Sequence, residues 1–326
     1  MRAAVVVQDA GGKRLEVRDV AKPVPGESEV LVRVRTAGVN RADLSMNVGH
    51  FRGAGAALAP VAGLEFAGEV AEIGSKVMGV TEGDHVMAMG QGAFADYARI
   101  DHRLLIPVPT TFSWEQAAAA PVAFMTMHDA VVTNGRLAAG EAVLVQGVTS
   151  GMGIVAFQIA KAKGARLVIG SSTSDAKLAT LKGWGLDLGL NSKTDDVVKR
   201  VTEATAGRGA DLVVDMIGGP VTNQNMQAAA VKGRIIDVGR MGGLKGEIDL
   251  DLYSLKRIRF IGVNFRTRSI DEIQSIIRLM VADIWPDVTA GKVKLPIANA
   301  FPLEKIRDAY AYMRANTHVG KIVVMV

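Results

Sequence analysis

The period of the hydrophobic positions changes along the chain. Through residue 124 they fall in short Val-rich or alternating runs at 3–7, 14–17, 29–37, 66–73, 85–88 and 94–100. Turn signals such as Asp9-Ala10-Gly11-Gly12 and Glu82-Gly83-Asp84 separate these runs. The pattern predicts a compact, partly antiparallel barrel or sandwich. Ser113 and Gln116 then form a capping box that opens an alanine-rich helix, and a second helical stretch holding Pro121 and Thr126 runs to about residue 133. From residue 142 strand and helix alternate. Strands are predicted at 142–146, 166–170, 187–190, 211–215, 233–238 and 259–263, and helices at 154–163, 175–184, 195–205 and 223–231. Such βα units imply a parallel sheet covered on both faces. The remainder reads as a helix over 269–290 interrupted by Pro286, a helix over 303–315 and a final apolar strand at 321–325. That strand needs partners and is expected to return to the first domain. The second domain is then an insertion, with boundaries at 1–124, 125–265 and 266–326.

Composition narrows the class. The chain has 326 residues, 49% hydrophobic and 22% charged, which suits two globular domains. No run approaches the ~20 apolar residues of a membrane span, and the N-terminal stretch lacks a signal-peptide core. With no cysteine there are no disulfides and no thiolate ligands. A soluble cytoplasmic protein without membrane partners is expected. The formal charge is +5, densest at Lys256, Arg257, Arg259, Arg266 and Arg268. No aromatic-rich basic motif accompanies the patch, so a small anionic ligand is expected and nucleic acid is not.

The stretch 142–163 carries the candidate chemistry. An apolar strand, a glycine-rich turn at Gly147–Gly153 and an amphipathic helix present free N–H groups at a positive helix end, where a phosphate can bind. The alternative is an ordinary βα turn whose glycines only permit close packing.

Several segments together resemble the zinc-free quinone oxidoreductase (zeta-crystallin-like) branch of the medium-chain dehydrogenase/reductase superfamily. They include AGVNRAD (37–43), PVAGLEFAGEVAEIG (60–74), AAAAPVAFMTMHDAV (117–131), GEAVLVQGVTSGMGIVAFQIAK (140–161), GRIIDVGRMGG (233–243) and NTHVGKIVV (316–324). The resemblance implies an α/β chain, with a GroES-like β-rich catalytic domain and an inserted Rossmann doubly wound parallel sheet. It also bears on metal. Zinc-using members carry a cysteine where this chain has Asn40 and a His-Glu pair where it has Leu64-Glu65. With those ligands missing and the five histidines dispersed, no metal is expected. The turn itself departs from the family, with Val148 at a position usually small and Ser150 at one usually glycine. Ser150 strains the turn if its φ is positive; otherwise its hydroxyl is free to meet a phosphate.

NAD-selective folds end the second strand in an acid that binds the adenine ribose. Here Gly170, Ser171 and Ser172 stand there, with Lys177 one helical turn on, and Asp175 suits the next helix's first turn. This favours NADPH; Ser174 as an N-cap and Lys177 as a solvated side chain are the bland alternative. The cofactor set expected is Ser150, Gly151, Met152, Gly153, Ile154, Gly170, Ser171, Ser172 and Lys177. The resemblance adds Ser192, Val238, Gly239, Arg240, Val263, Phe265 and Asn316; Arg240 also suits a plain surface role. Without a metal, hydrogen-bond donors must stabilise a developing oxyanion. Asn40 and Thr126 are the catalytic candidates, Asp43 is read as structural, and Met46, His50, Phe51 and Phe265 are candidate cleft walls. The expected activity is NADPH-dependent hydride transfer to quinones or related conjugated carbonyls. An enoyl thioester or 2-alkenal double bond is the alternative acceptor, and a non-catalytic crystallin-like or RNA-binding protein the alternative of another class. A homodimer is expected through the sheet edge near residues 258–263.

Overall fold

The computed structural model describes residues 1–9, 12–45 and 61–326. They divide into two compact units, one of residues 1–123, 265–279 and 295–326, the other of residues 124–264 and 280–294. The sequence pattern alone does not separate residues 280–294 from their surroundings.

In the first unit β1 (Arg2–Asp9) and β2 (Gly12–Asp19) form an antiparallel hairpin. They are followed by β3 (Glu29–Val39), β4 (Glu65–Ile73), β5 (His85–Met89), β6 (Tyr97–Asp101) and β7 (Ile106–Pro107). β6 starts later than its apolar run suggests. Phe94 is fully buried, and its backbone pairs outside β6, with Ala62 and Ala4. The long β3 alternates Val30, Val32 and Val34 into the core, where Phe66, Val70, Phe94 and Tyr310 also pack.

α1 (Trp114–His128) opens on the expected capping box: Ser113 N–H donates to Gln116 Oε1 at 2.9 Å, and Gln116 N–H to Ser113 Oγ at 3.3 Å. In place of the two helical stretches expected, one continuous helix contains Pro121 and passes into a π-helical turn, Asp129–Asn134. The residue after Pro121, Val122, donates its N–H to the Glu65 carboxylate at 2.9 Å, an acceptor supplied from outside the helix beside the proline.

The second unit alternates as expected: β8 (Ala142–Val145), α2 (Gly151–Ala162), β9 (Leu167–Ser172), α3 (Asp175–Lys182), β10 (Leu188–Asn191), α4 (Val197–Ala204), β11 (Ala210–Asp215), α5 (Thr222–Ala228), β12 (Ala229–Asp237), α6 (Leu250–Lys256) and β13 (Arg259–Gly262). All six strands are parallel, in the order β10-β9-β8-β11-β12-β13. The central strands β8 and β11 are buried throughout, which is why they read as continuous apolar runs. The helix expected over 223–231 ends earlier, at Ala228, because Ala229 and Ala230 are drawn into β12. Alanine suits either state, and burial in the sheet decides it. α6 has no counterpart in the sequence pattern. Its Lys256 donates to the carbonyls of Met226, Gln227 and Ala229 at the end of α5. Lys256 is therefore committed to a helix terminus, which thins the basic patch read from the sequence.

The chain returns through α7 (Ile270–Thr289), opened by a Ser269–Glu272 capping box, then β14 (Ile297–Pro302), α8 (Ile306–Ala315) and β15 (Lys321–Met325). β15 pairs antiparallel with β3, setting Ile322 opposite Val39 and Val324 opposite Ala37. The last strand thus closes the first unit, as its apolar pattern requires. β14, half-exposed and without clear alternation, is not legible in the sequence. The sheet runs β14-β15-β3-β4-β5-β7, with β6 also on β3.

Candidate functional site

Ligands of open parallel sheets sit beyond the strand C-termini where the strand order reverses, here between β8 and β11. The glycine turn lies at that point. Gly147 takes φ 72°, a conformation open to glycine at no steric cost. Ser150 lies at φ −76° and ψ 159°, so it is unstrained. It is the N-cap of α2: its Oγ accepts from Gly153 N–H at 3.1 Å and donates to Gly147 O at 2.9 Å. The hydroxyl proton that the sequence offered to a phosphate is thus given to the turn. A Cβ on Gly153 would stand 2.5 Å from Val148 Cα, so no side chain fits there without moving backbone. Val148 has a reason too. It is fully buried over Gly170, whose Cβ would lie 2.6 Å from Val148 Cγ1. The large residue in the turn is matched by the missing one on β9.

Beneath the turn a buried polar chain joins the ends of three strands. Gly147 N–H donates to Ser171 Oγ at 3.3 Å, and Ser171 Oγ donates to Gln146 Oε1. Gln146 Nε2 donates to Asn225 Oδ1 at 2.7 Å, and Asn225 Nδ2 to Asp215 Oδ2 at 2.9 Å. Asp215 Oδ1 accepts the N–H groups of Ile217 and Gly218 at 2.7 and 3.2 Å. Burial still pushes the Asp215 carboxyl up, to about 6. Sequence reasoning missed Gln146, Asn225 and Asp215. The available signal was polar residues at the ends of apolar strands.

The expected cofactor residues of the second unit lie at or just beyond the C-terminal ends of its strands. Ser172 Oγ shares a hydrogen bond with Thr149 Oγ1 at 3.1 Å. Ser174 caps α3, whose first turn holds Asp175 and Lys177. Asp175 accepts from Asn191 Nδ2 at 2.8 Å, beside Ser192, whose N–H donates to Ser172 O at 2.8 Å. Val238 and Gly239 donate their N–H groups to Asp215 O, and a Cβ on Gly239 would lie 2.8 Å from Met216 O. Arg240 is paired with Asp237 at 2.6 Å. Val263 donates its N–H to Asp237 O at 2.9 Å. Gly151, Met152 and Ile154 form the first turn of α2. These residues fit a dinucleotide: a twelve-residue helix with a glycine-lined N-terminus at the switch point.

The first unit holds a second polar centre. Asn40 N–H donates to Asp43 Oδ2 at 2.7 Å, and Asp43 N–H to Asn40 O at 3.0 Å. Asn40 Nδ2 donates to Glu65 Oε1 at 2.9 Å; Lys321 Nζ donates to Asn40 Oδ1 at 2.8 Å and to Glu65 Oε1. Burial pushes the Asp43 carboxyl up to about 7, an effect only partly offset by its Asn40 hydrogen bond and by Lys321. Both oxygens of Glu65 are occupied, and an ammonium sits against one of them. With Asn40 and Leu64 at the other positions, this donor set does not fit zinc. Among the described residues no group of three His, Cys, Asp or Glu is placed to hold a metal.

Glu65 and Lys321 were missed as partners of Asn40. The clue was Lys321 as the lone base at the head of an apolar strand; Glu65 shares its strand with Glu69 and Glu72 and gave no such signal. Thr126 is buried on α1 and belongs to the second unit. In the first unit Phe265 is buried under the Arg268 guanidinium at 5.1 Å. Asn316 ends α8 in the left-handed conformation and accepts from Arg41 at 3.0 Å. Met46, His50 and Phe51 lie outside the described residues.

Two family models match, an alcohol dehydrogenase GroES-like domain over residues 26–110 and a zinc-binding dehydrogenase domain over residues 151–282. The chain is 33% identical over 328 residues to a phenolphthiocerol/phthiocerol polyketide synthase of Mycobacterium tuberculosis, covering 100% of this chain and 15% of that protein. It thus spans far less than two thirds of that relative. It is 26% identical over 329 residues to quinone oxidoreductase of Rattus norvegicus, covering 100% of this chain and 98% of the rat protein. Its fold superposes on that of Escherichia coli quinone oxidoreductase complexed with NADPH with a TM-score of 0.87, at 21% identity and coverage of 100% and 99%. With the GroES-like sheet, the parallel Rossmann-like sheet and these relatives in agreement, the chain belongs to the medium-chain dehydrogenase/reductase superfamily, in its quinone oxidoreductase branch.

Proposed function

We propose that the chain is an NADPH-dependent, zinc-independent oxidoreductase that reduces quinones or related conjugated carbonyls. The observation that carries this reading is the glycine turn at the switch point, next to a second strand that ends in Ser171-Ser172 with no acid. The next acid along the chain, Asp175, is engaged by Asn191. A 2′-phosphate then meets hydroxyls and the Lys177 charge without meeting a carboxylate.

Bound NADPH supplies a hydride; the chain must orient it, exclude water and stabilise the charge that builds on the acceptor oxygen. Ser150, Gly151, Met152, Gly153 and Ile154 form the pyrophosphate turn: Gly151 and Met152 offer their N–H groups, while Ser150, Gly153 and Ile154 bond among themselves and hold its shape. Gly170, Ser171, Ser172, Lys177, Ser192, Val238, Gly239, Arg240, Val263 and Asn316 complete the cofactor contacts. The Asn40 amide and the Thr126 hydroxyl donate to the acceptor oxygen, and Phe265 lines the cleft. Asp43 holds the Asn40 backbone and takes no part in proton transfer.

The purified protein is expected to oxidise NADPH at least tenfold faster than NADH with 1,4-benzoquinone at equal low concentration. Equal rates with both cofactors sink the NADPH assignment, and no turnover with any quinone or activated alkene sinks the whole reading. A second reading keeps the cofactor and changes the acceptor to an enoyl thioester. It is favoured by the higher identity to a polyketide synthase than to the rat quinone oxidoreductase. Crotonyl thioester assayed beside benzoquinone separates the two. The proposal includes a cytoplasmic homodimer joined at β13, an outer strand of its sheet with Phe260 exposed.

A further inference from the structure

Two side chains from distant parts of the sequence meet on the Asn40 amide. Lys321 Nζ donates to Asn40 Oδ1 at 2.8 Å and also to Glu65 Oε1, and Asn40 Nδ2 donates to that same carboxylate oxygen at 2.9 Å. Glu65 is 0% exposed and Lys321 5%. The other Glu65 oxygen is held by Val122 N–H at 2.9 Å. The backbone of Asn40 is fixed separately, through its reciprocal bonds with Asp43.

A carboxamide has two ends of opposite sense. Here the acceptor end faces an ammonium and the donor end faces a carboxylate. A half-turn would put Oδ1 against the Glu65 carboxylate and Nδ2 against the Lys321 ammonium. Two charge-assisted hydrogen bonds would be exchanged for two repulsions, so the orientation follows from the charges. Nδ2 carries two N–H groups. Glu65 takes one, and among the described residues no other side chain or backbone carbonyl accepts from the second. A cation on Oδ1 draws electron density from the amide nitrogen and so strengthens its N–H groups as donors, while the Glu65 carboxylate fixes the direction of one of them. The second N–H is therefore a better donor than that of an unpaired asparagine.

We propose that Lys321 and Glu65 are positioning residues for the reduction: they lock the Asn40 amide in one orientation and polarise it, so that its second N–H meets the charge developing on the acceptor oxygen. This rests on Asn40 being that donor, as proposed above. Stability alone does not call for the arrangement, since a buried ion pair is commonly replaceable by apolar residues at no loss.

The test compares wild type, Asn40→Ala and the charge-free double variant Glu65→Gln with Lys321→Met. The readouts are the NADPH dissociation constant and kcat over a series of substituted 1,4-benzoquinones of decreasing electron affinity. For the double variant the expected result is an NADPH constant within about twofold of wild type and a kcat lower by about tenfold, part of the 10²–10³ that loss of a whole oxyanion donor costs. The loss should grow toward the weakest acceptors, where stabilisation of the oxygen matters most. A merely structural role would lower kcat evenly across the series or weaken NADPH binding with it, and either result overturns the proposal. A wild-type kcat in the double variant with a lowered one in Asn40→Ala overturns this proposal alone. A wild-type kcat in Asn40→Ala overturns the reading of Asn40 as well. Should the double variant not fold, Glu65→Gln alone keeps the Lys321 donor. It is expected to lose about threefold in kcat on the weakest acceptors, and no loss there overturns the proposal.

Discussion

In the first unit Lys321, Glu65 and Asn40 bury two full charges within hydrogen-bonding distance. In the second, Ser171, Gln146, Asn225 and Asp215 carry a chain of hydroxyl and amide dipoles with one carboxylate at its end. Both networks orient an amide in a dry interior, but by different means. The ionic cluster sets its amide by charge, and each member depends on all the others. The dipole chain sets each amide by its neighbour, so the order runs link by link from Asp215 to the N–H of Gly147. The first arrangement has large consequences if one partner is lost. The second is softer, and its effect is felt at the glycine turn it supports.

The largest expected effect comes from breaking the ionic cluster on one side. Lys321→Met leaves the Glu65 carboxylate buried without its cation and should lower stability by about 3–5 kcal/mol in urea unfolding. Adding Glu65→Gln to it should recover most of that loss. If the single and double variants unfold at the same urea concentration, charge is not what binds this cluster.

Asp43, beside the cluster, gives the next effect. Its folded carboxyl titrates at about 7 against an ordinary 3.8. Below pH 4 both folded and unfolded chains hold the proton. As pH rises toward 7 the unfolded chain releases it and the folded chain keeps it, so stability falls over that window and then levels off. Asp215, raised to about 6, acts with the same sign over a narrower window. Asp43→Asn should remove its share, a few kcal/mol at most. The urea midpoint of wild type should therefore drop relative to the variant between pH 4 and pH 7. Parallel midpoints across that range would show that Asp43 ionises freely in the folded protein.

Severing the dipole chain should cost less. Gln146→Leu strips Asn225 Oδ1 and the Ser171 hydroxyl of their partner, at about 1–3 kcal/mol. Ser171 then loses its fixed direction and Gly147 its firm acceptor, so NADPH should bind several-fold more weakly, as fluorescence titration would record. A stability loss with unchanged affinity would separate the chain from the turn.

These two centres were unequally legible in the sequence. The glycine turn, the hydroxyl end of β9 and the capping box at Ser113 are local: each rests on residues within a few positions, where pattern speaks directly. So does the parallel sheet, because buried strands announce themselves as apolar runs. Lys321, Glu65 and Asn40 come together only because β15 and β4 both pair with β3. Sequence spacing carries nothing of that. Pro121 misled for the same reason, since the carboxylate beside it comes from residue 65. Ala229 and Lys256 misled because alanine suits both helix and strand, and because a lysine's target is set in three dimensions.

The smallest effect concerns Ser150, which stands where the turn of the resembled family usually has glycine. Its backbone is extended, so glycine there relieves no strain. Its hydroxyl is already spent, accepting from Gly153 and donating to Gly147. Ser150→Gly should remove a cap that glycine replaces at a cost of only a few tenths of a kcal/mol. The melting temperature should fall by about 1 °C, and the NADPH dissociation constant should move by less than about threefold. A tenfold loss of affinity would mean that the hydroxyl leaves the turn to bind phosphate, and that Gly147 O and Gly153 N–H can do without it. The small effect is expected because Ser150 acts on the shape of the turn, which Gly147, Gly153 and the buried contact between Val148 and Gly170 already secure.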